Sequence, residues 1–398
     1  MAIQNESPLS NRSRVLEIIR NNDDIFKAEI ARITGLSIPT IMRITDEFIE
    51  NGLVVVTGKR VFGGGKPPAT LRVNPECRYF AGVDLGDSTI TCVVLDLKGR
   101  TIIKDSISAV QQVENGDIVA LAIDLAERTL NTASIDMASL YGIGIGVPGI
   151  VDPDTGVVSS QSLGLTNFDI GKAFSQHFSI DSFVDNTAKV TARAEQWYGS
   201  GRNRDSFIML AFGRGIGSAM VVNGEMYRGM HNMSGEVGHT VVDINGPLCR
   251  CGKRGCLETL ASNKAIERQA RQMMQDRFES SMWEMAGGSP EAITAQIVMA
   301  AAENGDRIAG MIADKAFEYI AVAIENLVSI FDINYLILSG RIIKKSPWFL
   351  AQLKKRLRKS KAQMQGRDVE LVLAELGNEA AAVGAATLPL AGFIRSLD

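Results

Sequence analysis

Three cysteines crowd into eight residues, Cys249-Arg250-Cys251-Gly252-Lys253-Arg254-Gly255-Cys256, and His239 lies a short way before them. Three thiolates and one imidazole complete the four-coordinate tetrahedral shell that Zn2+ prefers, with no position left for water or substrate. One zinc per chain is expected at His239, Cys249, Cys251 and Cys256. A closed shell makes it a structural ion rather than a Lewis acid. The chain has five cysteines, too few and too unevenly placed for a disulfide framework. A second set of residues suits a different chemistry. Ser37, Thr40 and Arg43 are the small polar and cationic types that reach base edges when they lie near the start of a helix in the major groove of DNA. Lys59, Arg60 and Lys66 follow, able to neutralise phosphates or enter a minor groove.

The elements that must carry the second set come first in the chain. Val15, Leu16, Ile18 and Ile19 mark an apolar stripe on a helix starting near Asn11. A second helix, Lys27 to Thr34, stops at Gly35, which suits a left-handed position. Ser37 caps a third, with Pro39 in its first turn and Ile41, Ile44 and Phe48 on one buried face. Its other face presents Thr40, Arg43 and Glu47. Leu53–Thr57 and Ala69–Val73 then read as a two-stranded ribbon with its tip at Gly63-Gly64-Gly65-Lys66-Pro67-Pro68. Helix, helix–turn–helix, then ribbon is the order of a winged helix, assigned to residues 1–75.

From Tyr79 the pattern changes to strands and helices in alternation. Strands are expected at Tyr79–Leu85, Thr89–Asp96, Thr101–Ile107, Leu140–Val147, Phe183–Asp185, Phe207–Phe212, Ser218–Val222, Tyr335–Leu338 and Val369–Leu373. Helical patterns cover about Ile118–Asn131, Pro290–Asn304 and Asp306–Ile330, and a last one runs from Asn378. Such alternation argues for an α/β fold with largely parallel sheets. No repeat of 20–50 residues is visible in the sequence. At 398 residues more than one domain is expected. A net charge of −3 excludes a polycationic nucleic-acid coat but leaves room for a small DNA-binding face. No apolar run reaches the roughly 18–20 residues that cross a bilayer, and the polar start lacks the apolar centre of a signal peptide. A cytoplasmic protein without membrane insertion is the expectation. The basic run Lys354–Lys361 reads as a solvated helix face.

Gly235-Glu236-Val237-Gly238-His239, the cysteine cluster running into Leu257-Glu258, and Val147-Pro148-Gly149-Ile150-Val151-Asp152 together resemble the ROK family of bacterial repressors, open reading frames and sugar kinases. The resemblance spans about Tyr79 to the C-terminus. The winged helix ahead of it, with Gly65-Lys66-Pro67, resembles the repressor branch. The resemblance implies a two-lobed, actin-like kinase fold with a sugar cleft between the lobes, a zinc loop bracing that cleft, and a homodimer or homotetramer. On that pattern residues 76–195, completed by a C-terminal helix at 377–398, form the first lobe. Residues 196–376 form the second, with the zinc loop and the oligomerisation helices. Carried over residue by residue, Glu236 and Glu258 match positions that accept hydrogen bonds from sugar hydroxyls. His239 matches one that ligates zinc and faces the sugar with its other nitrogen. Asn186 matches a sugar-contacting amide, with Asn167 a further candidate.

The kinase pattern breaks at four places. In the family's kinases an Asp after Glu-Asn takes the proton of the attacking hydroxyl. Here the run is Asp185-Asn186-Thr187-Ala188-Lys189, and a threonine hydroxyl accepts no proton at neutral pH. The nucleotide loops read Asp84-Leu85-Gly86-Asp87-Ser88, Gly213-Arg214-Gly215 and Gly340-Arg341, where the kinases carry Asp-x-Gly-Gly-Thr, Gly-Thr-Gly and paired glycines. Together these changes imply lost phosphoryl transfer and no catalytic residue. The sequence therefore predicts a regulator of carbohydrate-metabolism genes, a repressor that binds a double-stranded operator and answers to a sugar or sugar phosphate. Two other readings stay open: an active ATP-dependent sugar kinase with an added DNA-binding domain, and a regulator governed by a protein partner.

Overall fold

A computed structural model describes residues 10–59, 69–86, 88–109, 118–275, 279–344, 346–360 and 368–397. Arg60, Lys66 and Asp87 lie outside these residues, and Lys59 and Arg341 are described by backbone alone. The chain divides into two compact units, residues 1–194 with 379–398, and residues 195–378.

Helix α1 (Asn11–Arg20) starts where Ser10 Oγ accepts the Ser13 N–H at 3.2 Å. Helix α2 (Lys27–Thr34) ends at Gly35, whose φ of 75° is the left-handed stop expected there. Ser37 caps α3 (Ile38–Glu50) by accepting from Thr40 N at 3.4 Å, a contact typically contributing ~1 kcal/mol. Ile41, Ile44 and Phe48 are buried, as are Val15, Leu16 and Ile19 on α1, which packs against α3. The ribbon consists of β2 (Val54–Lys59) and β3 (Ala69–Val73), paired antiparallel with Val54 opposite Val73. A short strand β1 (Ile25–Phe26) pairs with β3 on its other side, giving the sheet order β1-β3-β2. Two residues carry too little periodicity to be read as a strand in advance.

In the same unit a five-stranded sheet runs β11-β7-β4-β5-β6, comprising β4 (Tyr79–Leu85), β5 (Thr89–Asp96), β6 (Thr101–Ser108), β7 (Leu140–Val147) and β11 (Ser182–Asn186). A smaller sheet is made of β8 (Ile150–Val151), β9 (Val157–Ser160) and β10 (Leu165–Asp169). The helix Ala380–Arg395 lies along the strands β4 and β7, and most of its residues are buried. Contact between them is backbone to backbone. A Cβ at Gly144 of β7 would sit 1.8 Å from the Ala385 carbonyl oxygen, so only glycine lets strand and helix meet. The winged helix is fastened to this helix. Ser13 Oγ, fully buried, donates to the Ile394 carbonyl at 2.7 Å, and Lys98 in the β5–β6 turn pairs with Asp23.

The second unit repeats the topology with β14-β13-β12-β15-β16: β12 (Phe207–Phe212), β13 (Ile216–Val222), β14 (Glu225–Met226), β15 (Tyr335–Ser339) and β16 (Glu370–Leu373). Each large sheet is mixed, not largely parallel. The first three strands of each form antiparallel hairpins, because turns as short as Lys98-Gly99 cannot span a parallel crossover, and two parallel pairings follow. The repetition is one of topology, invisible as sequence self-similarity. The unit's core is built on the helix Arg307–Phe331, capped by Asp306, whose carboxylate accepts from Ala309 N at 2.9 Å. The segment expected as one helix from Pro290 to Asn304 is a 3-10 turn at Pro290–Ala292 and a helix at Ala295–Glu303 that Thr294 caps anew. In the basic run, Arg356 lies 5.1 Å over Phe317 and pairs with Asp314 at 2.5 Å, so that residue is an anchor of its helix rather than part of a solvated face.

Candidate functional site

The cysteine loop is shaped by its backbone before any ion is considered. Val242 N donates to Gly255 O at 2.9 Å, Leu257 N to Thr240 O at 3.0 Å and Cys249 N to Lys253 O at 2.7 Å. Tyr319 on the long helix donates its hydroxyl to Asp243 Oδ2 at 2.9 Å, which ties the loop to the unit's core. A one-turn 3-10 segment, Val237–His239, presents the imidazole. The result brings together the four ligands expected from the sequence: one donor atom each from His239, Cys249, Cys251 and Cys256, all within 4.8 Å of one another. Cys249 Sγ lies 3.4 Å from His239 Nδ1 and Cys251 Sγ lies 3.6 Å from Cys256 Sγ. A tetrahedron with zinc bond lengths has edges of about 3.5–3.8 Å, so the cluster fits such an ion. Burial pushes the Cys256 thiol up to about 12, whereas the Lys253 N–H holds Cys251 below the usual thiol range. A dication supplies the charge that makes a thiolate at Cys256 tenable. This cluster can hold a metal ion.

Cys256 leads directly into the helix Leu257–Ala261, which carries Glu258 in its first turn. Glu258 is 13% exposed, and both its oxygens are engaged. Oε2 accepts the Ile216 N–H at 3.2 Å, and Oε1 lies 3.3 Å from Nε of Arg250. A Cβ at residue 215 would fall 2.3 Å from Oε2, so a side chain there would displace the carboxylate that lies on Gly215. Glu236 is exposed, at the start of the turn that carries His239.

In the other unit Asn186 ends β11 and caps the helix Thr187–Tyr198. Its Oδ1 accepts from Ala188 N and its Nδ2 donates to Gly149 O, each at 2.8 Å. Thr187 donates its hydroxyl to Asp84 Oδ1 at 3.1 Å. Asn167 sits on β10 in a left-handed conformation with φ 45°, and its Oδ1 accepts from Ser159 Oγ at 3.2 Å. The first unit thus holds Asn167, Asn186 and Thr187, and the second holds Glu236, His239 and Glu258.

The exposed residues of α3 include Ile38, Pro39, Met42, Arg43 and Asp46, with Ser37 exposed at its cap. Arg43 has no partner among the described residues, whereas the acids nearby are neutralised: Asp46 by Lys27 at 2.7 Å and Glu47 by Arg12 at 2.5 Å. Thr40, expected on the open face, is half-buried with its hydroxyl 2.8 Å from Ser37 Oγ. Met42, 46% exposed, and Ile38, one helical turn before it, were not singled out from sequence, and they lie round the helix from Arg43.

A model of the ROK family matches residues 80–391. The chain belongs to the ROK family. A winged helix-turn-helix DNA-binding model matches residues 9–55 of this ROK protein. It is 28% identical to the xylose repressor of Caldicellulosiruptor bescii over 94% of both chains. It is 31% identical to the glucokinase of Thermotoga maritima over 77% of its own length and 96% of that enzyme's. Among solved structures, a ROK family transcriptional regulator homologous to the E. coli MLC protein superimposes with a TM-score of 0.81. Identity there is 25%, over 97% of this chain and 96% of that one. This ROK chain is a DNA-binding transcriptional regulator on a sugar-kinase-like body. No helix among its described residues is long and apolar enough to cross a membrane.

Proposed function

We propose that this ROK regulator is a cytoplasmic repressor of carbohydrate-metabolism genes that reads a palindromic operator as a homodimer or homotetramer and has given up phosphoryl transfer. The observation that carries this reading is the Thr187 hydroxyl spent on Asp84. A kinase needs a carboxylate there, free to take a proton from the attacking alcohol. Asp87, Arg214 and Arg341 in the former nucleotide loops support it. Arg43, bare on α3, is the proposed base-reading cation, with Ser37, Thr40, Lys59, Arg60 and Lys66 as further DNA contacts. The ion at His239, Cys249, Cys251 and Cys256 is a structural zinc. It braces the loop that leads into Glu258.

The effector is a sugar or a sugar phosphate, with Glu236, His239, Glu258, Asn186 and Asn167 as its proposed contacts. Carboxylates and amides pair well with vicinal hydroxyls, and the wrong sugar leaves such groups unpaired. The xylose repressors among the relatives make xylose the first compound to try. The test has two arms on the full-length chain. One measures operator binding across a sugar panel, where a single class of sugar should release the DNA. The other follows ATP consumption with the same panel, where none should rise above background. Glucokinase relatives keep an active kinase as the second reading. Turnover near roughly 1 s⁻¹, within the ordinary enzyme range, establishes that reading instead.

A further inference from the structure

Arg250 sits between two proposed zinc ligands, yet its guanidinium serves neither. Its Nε faces Glu258 Oε1 at 3.3 Å, and its Nη2 lies 3.9 Å from where a Cβ on Gly215 would be, above the Gly213–Gly215 turn. The side chain remains 45% exposed, and its two Nη groups have no hydrogen-bond partner among the described residues. The Glu258 carboxylate beside it is nearly covered and uses one oxygen on the backbone. Arg214, in the same turn, adds a second exposed cation. The loop's other cations, Lys253 and Arg254, are also exposed and remain to offset the thiolates. The neighbourhood of Glu258 is therefore a hydroxyl acceptor with a planar, always-charged donor fork beside it, two of whose nitrogens are unspent.

A neutral sugar gives such a pair one contact, a hydroxyl to Glu258, and leaves the fork with nothing better than water. A sugar bearing an oxyanion next to that hydroxyl satisfies both groups at once. The anion accepts from the Nη pair while Glu258 accepts the hydroxyl, and a guanidinium matches the flat face of a carboxylate or phosphate in a way that a point charge does not. We propose that Arg250 is a specificity-determining residue of the effector site, selecting sugars that carry an oxyanion, a phosphate ester or a sugar carboxylate, over their neutral parents. This rests on Glu258 contacting the effector, as argued above.

The test uses the full-length, zinc-loaded protein and matched probes: glucose with glucose 6-phosphate, glucuronate and gluconate, and xylose with xylonate. Affinities are read by calorimetry at two salt concentrations. In at least one set an anionic member should bind about 10-fold or more tightly than its neutral parent, the lower end of what a charge-assisted bond contributes. Its affinity should fall with salt. The phosphate and carboxylate arms say which oxyanion is meant. Arg250→Gln should lower the anion's affinity by a clearly larger factor than the neutral parent's, removing most of that advantage, and Arg250→Lys should keep part of it. Zinc content and the melting curve establish that both variants fold. Neutral sugars binding as well as every anionic partner, or an advantage that survives Arg250→Gln, overturns the proposal alone. If no probe binds and Glu258→Gln alters no DNA release, the effector reading beneath it falls as well.

Discussion

At Thr187 one hydrogen bond bears on which chemistry the lobe can support. The hydroxyl points its proton at Asp84, 3.1 Å away, and two groups joined in that way are poorly placed to deprotonate a sugar. Placing a carboxylate at 187 should not create a sugar kinase. Thr187→Asp sets a second negative group against Asp84, and two carboxylates that close cannot both ionise cheaply. The variant should melt below the parent and still consume no ATP with any hexose. A coupled assay with a melting curve checks both, and kinase turnover in the variant would show that the altered loops do not matter. Arg43 is the other residue at which a single atom group decides much. Arg43→Ala should weaken operator binding by roughly 1–3 kcal/mol and relax the preference at one base position, as loss of a bidentate guanine contact does. Unchanged affinity in a gel-shift titration would remove α3 from the interface. That His239, Cys249, Cys251 and Cys256 come together as a cluster able to hold a metal could be read in the sequence, because three cysteines in eight residues have few other uses. The Thr187–Asp84 bond and the Arg250–Glu258 pair could not. The first joins positions 103 apart, and the second depends on how a glycine-bent loop folds back.

At the level of elements, the cysteine loop and the short helix after it form one mechanical piece. Cys256 ends the loop, Leu257 begins the helix, and Glu258 rests on the backbone at Ile216. Cys251→Ser removes the most exposed ligand, so the fold should survive while the ion is lost. Elemental analysis should then find well under one zinc per chain. DNA should still be bound, but the response to effector should weaken, because Glu258 loses its support from the loop. A fully responsive, zinc-free Cys251→Ser protein would separate the loop from the effector altogether. Elements with strong periodicity or punctuation were legible: α2 stops at Gly35, Ser37 caps α3, and Asp306 caps the long helix. Elements defined by their partners were not. Strand β1 exists because β3 lies beside it, and β8 to β10 are short strands that only their mutual pairing distinguishes from loop. Glu195 belongs to the same class. Fully buried, it accepts from Ser200 N, Glu375 N and Leu376 N at 2.8, 3.1 and 2.9 Å, and nothing local in the sequence announces that three backbone groups will converge on it.

For the whole molecule, the telling feature is the helix Ala380–Arg395, which serves as wall to the β4–β7 face and as mooring for the winged helix through Ser13. Gly144→Ala tests both duties. Its methyl would collide with the Ala385 carbonyl, and overpacking of that kind costs about 1–3 kcal/mol or more. The first unit should lose stability, and operator affinity should fall although no DNA-facing residue has changed. Normal affinity in a destabilised Gly144→Ala chain would show that the mooring at Ser13 does not govern how the winged helix is held. The same arrangement imposes an order on biosynthesis. A ribosome adding about 5–20 residues per second makes β4 some 15–60 s before residues 380–395 exist. Throughout that interval β4 and β7 can pair with their neighbouring strands, but the face that the helix will cover lacks its native cover, while residues 195–378 can already close on their own core. The winged helix is synthesised well before the helix to which Ser13 moors it. A nascent chain can therefore own a folded reader of DNA well before that reader is under the control of the body that regulates it.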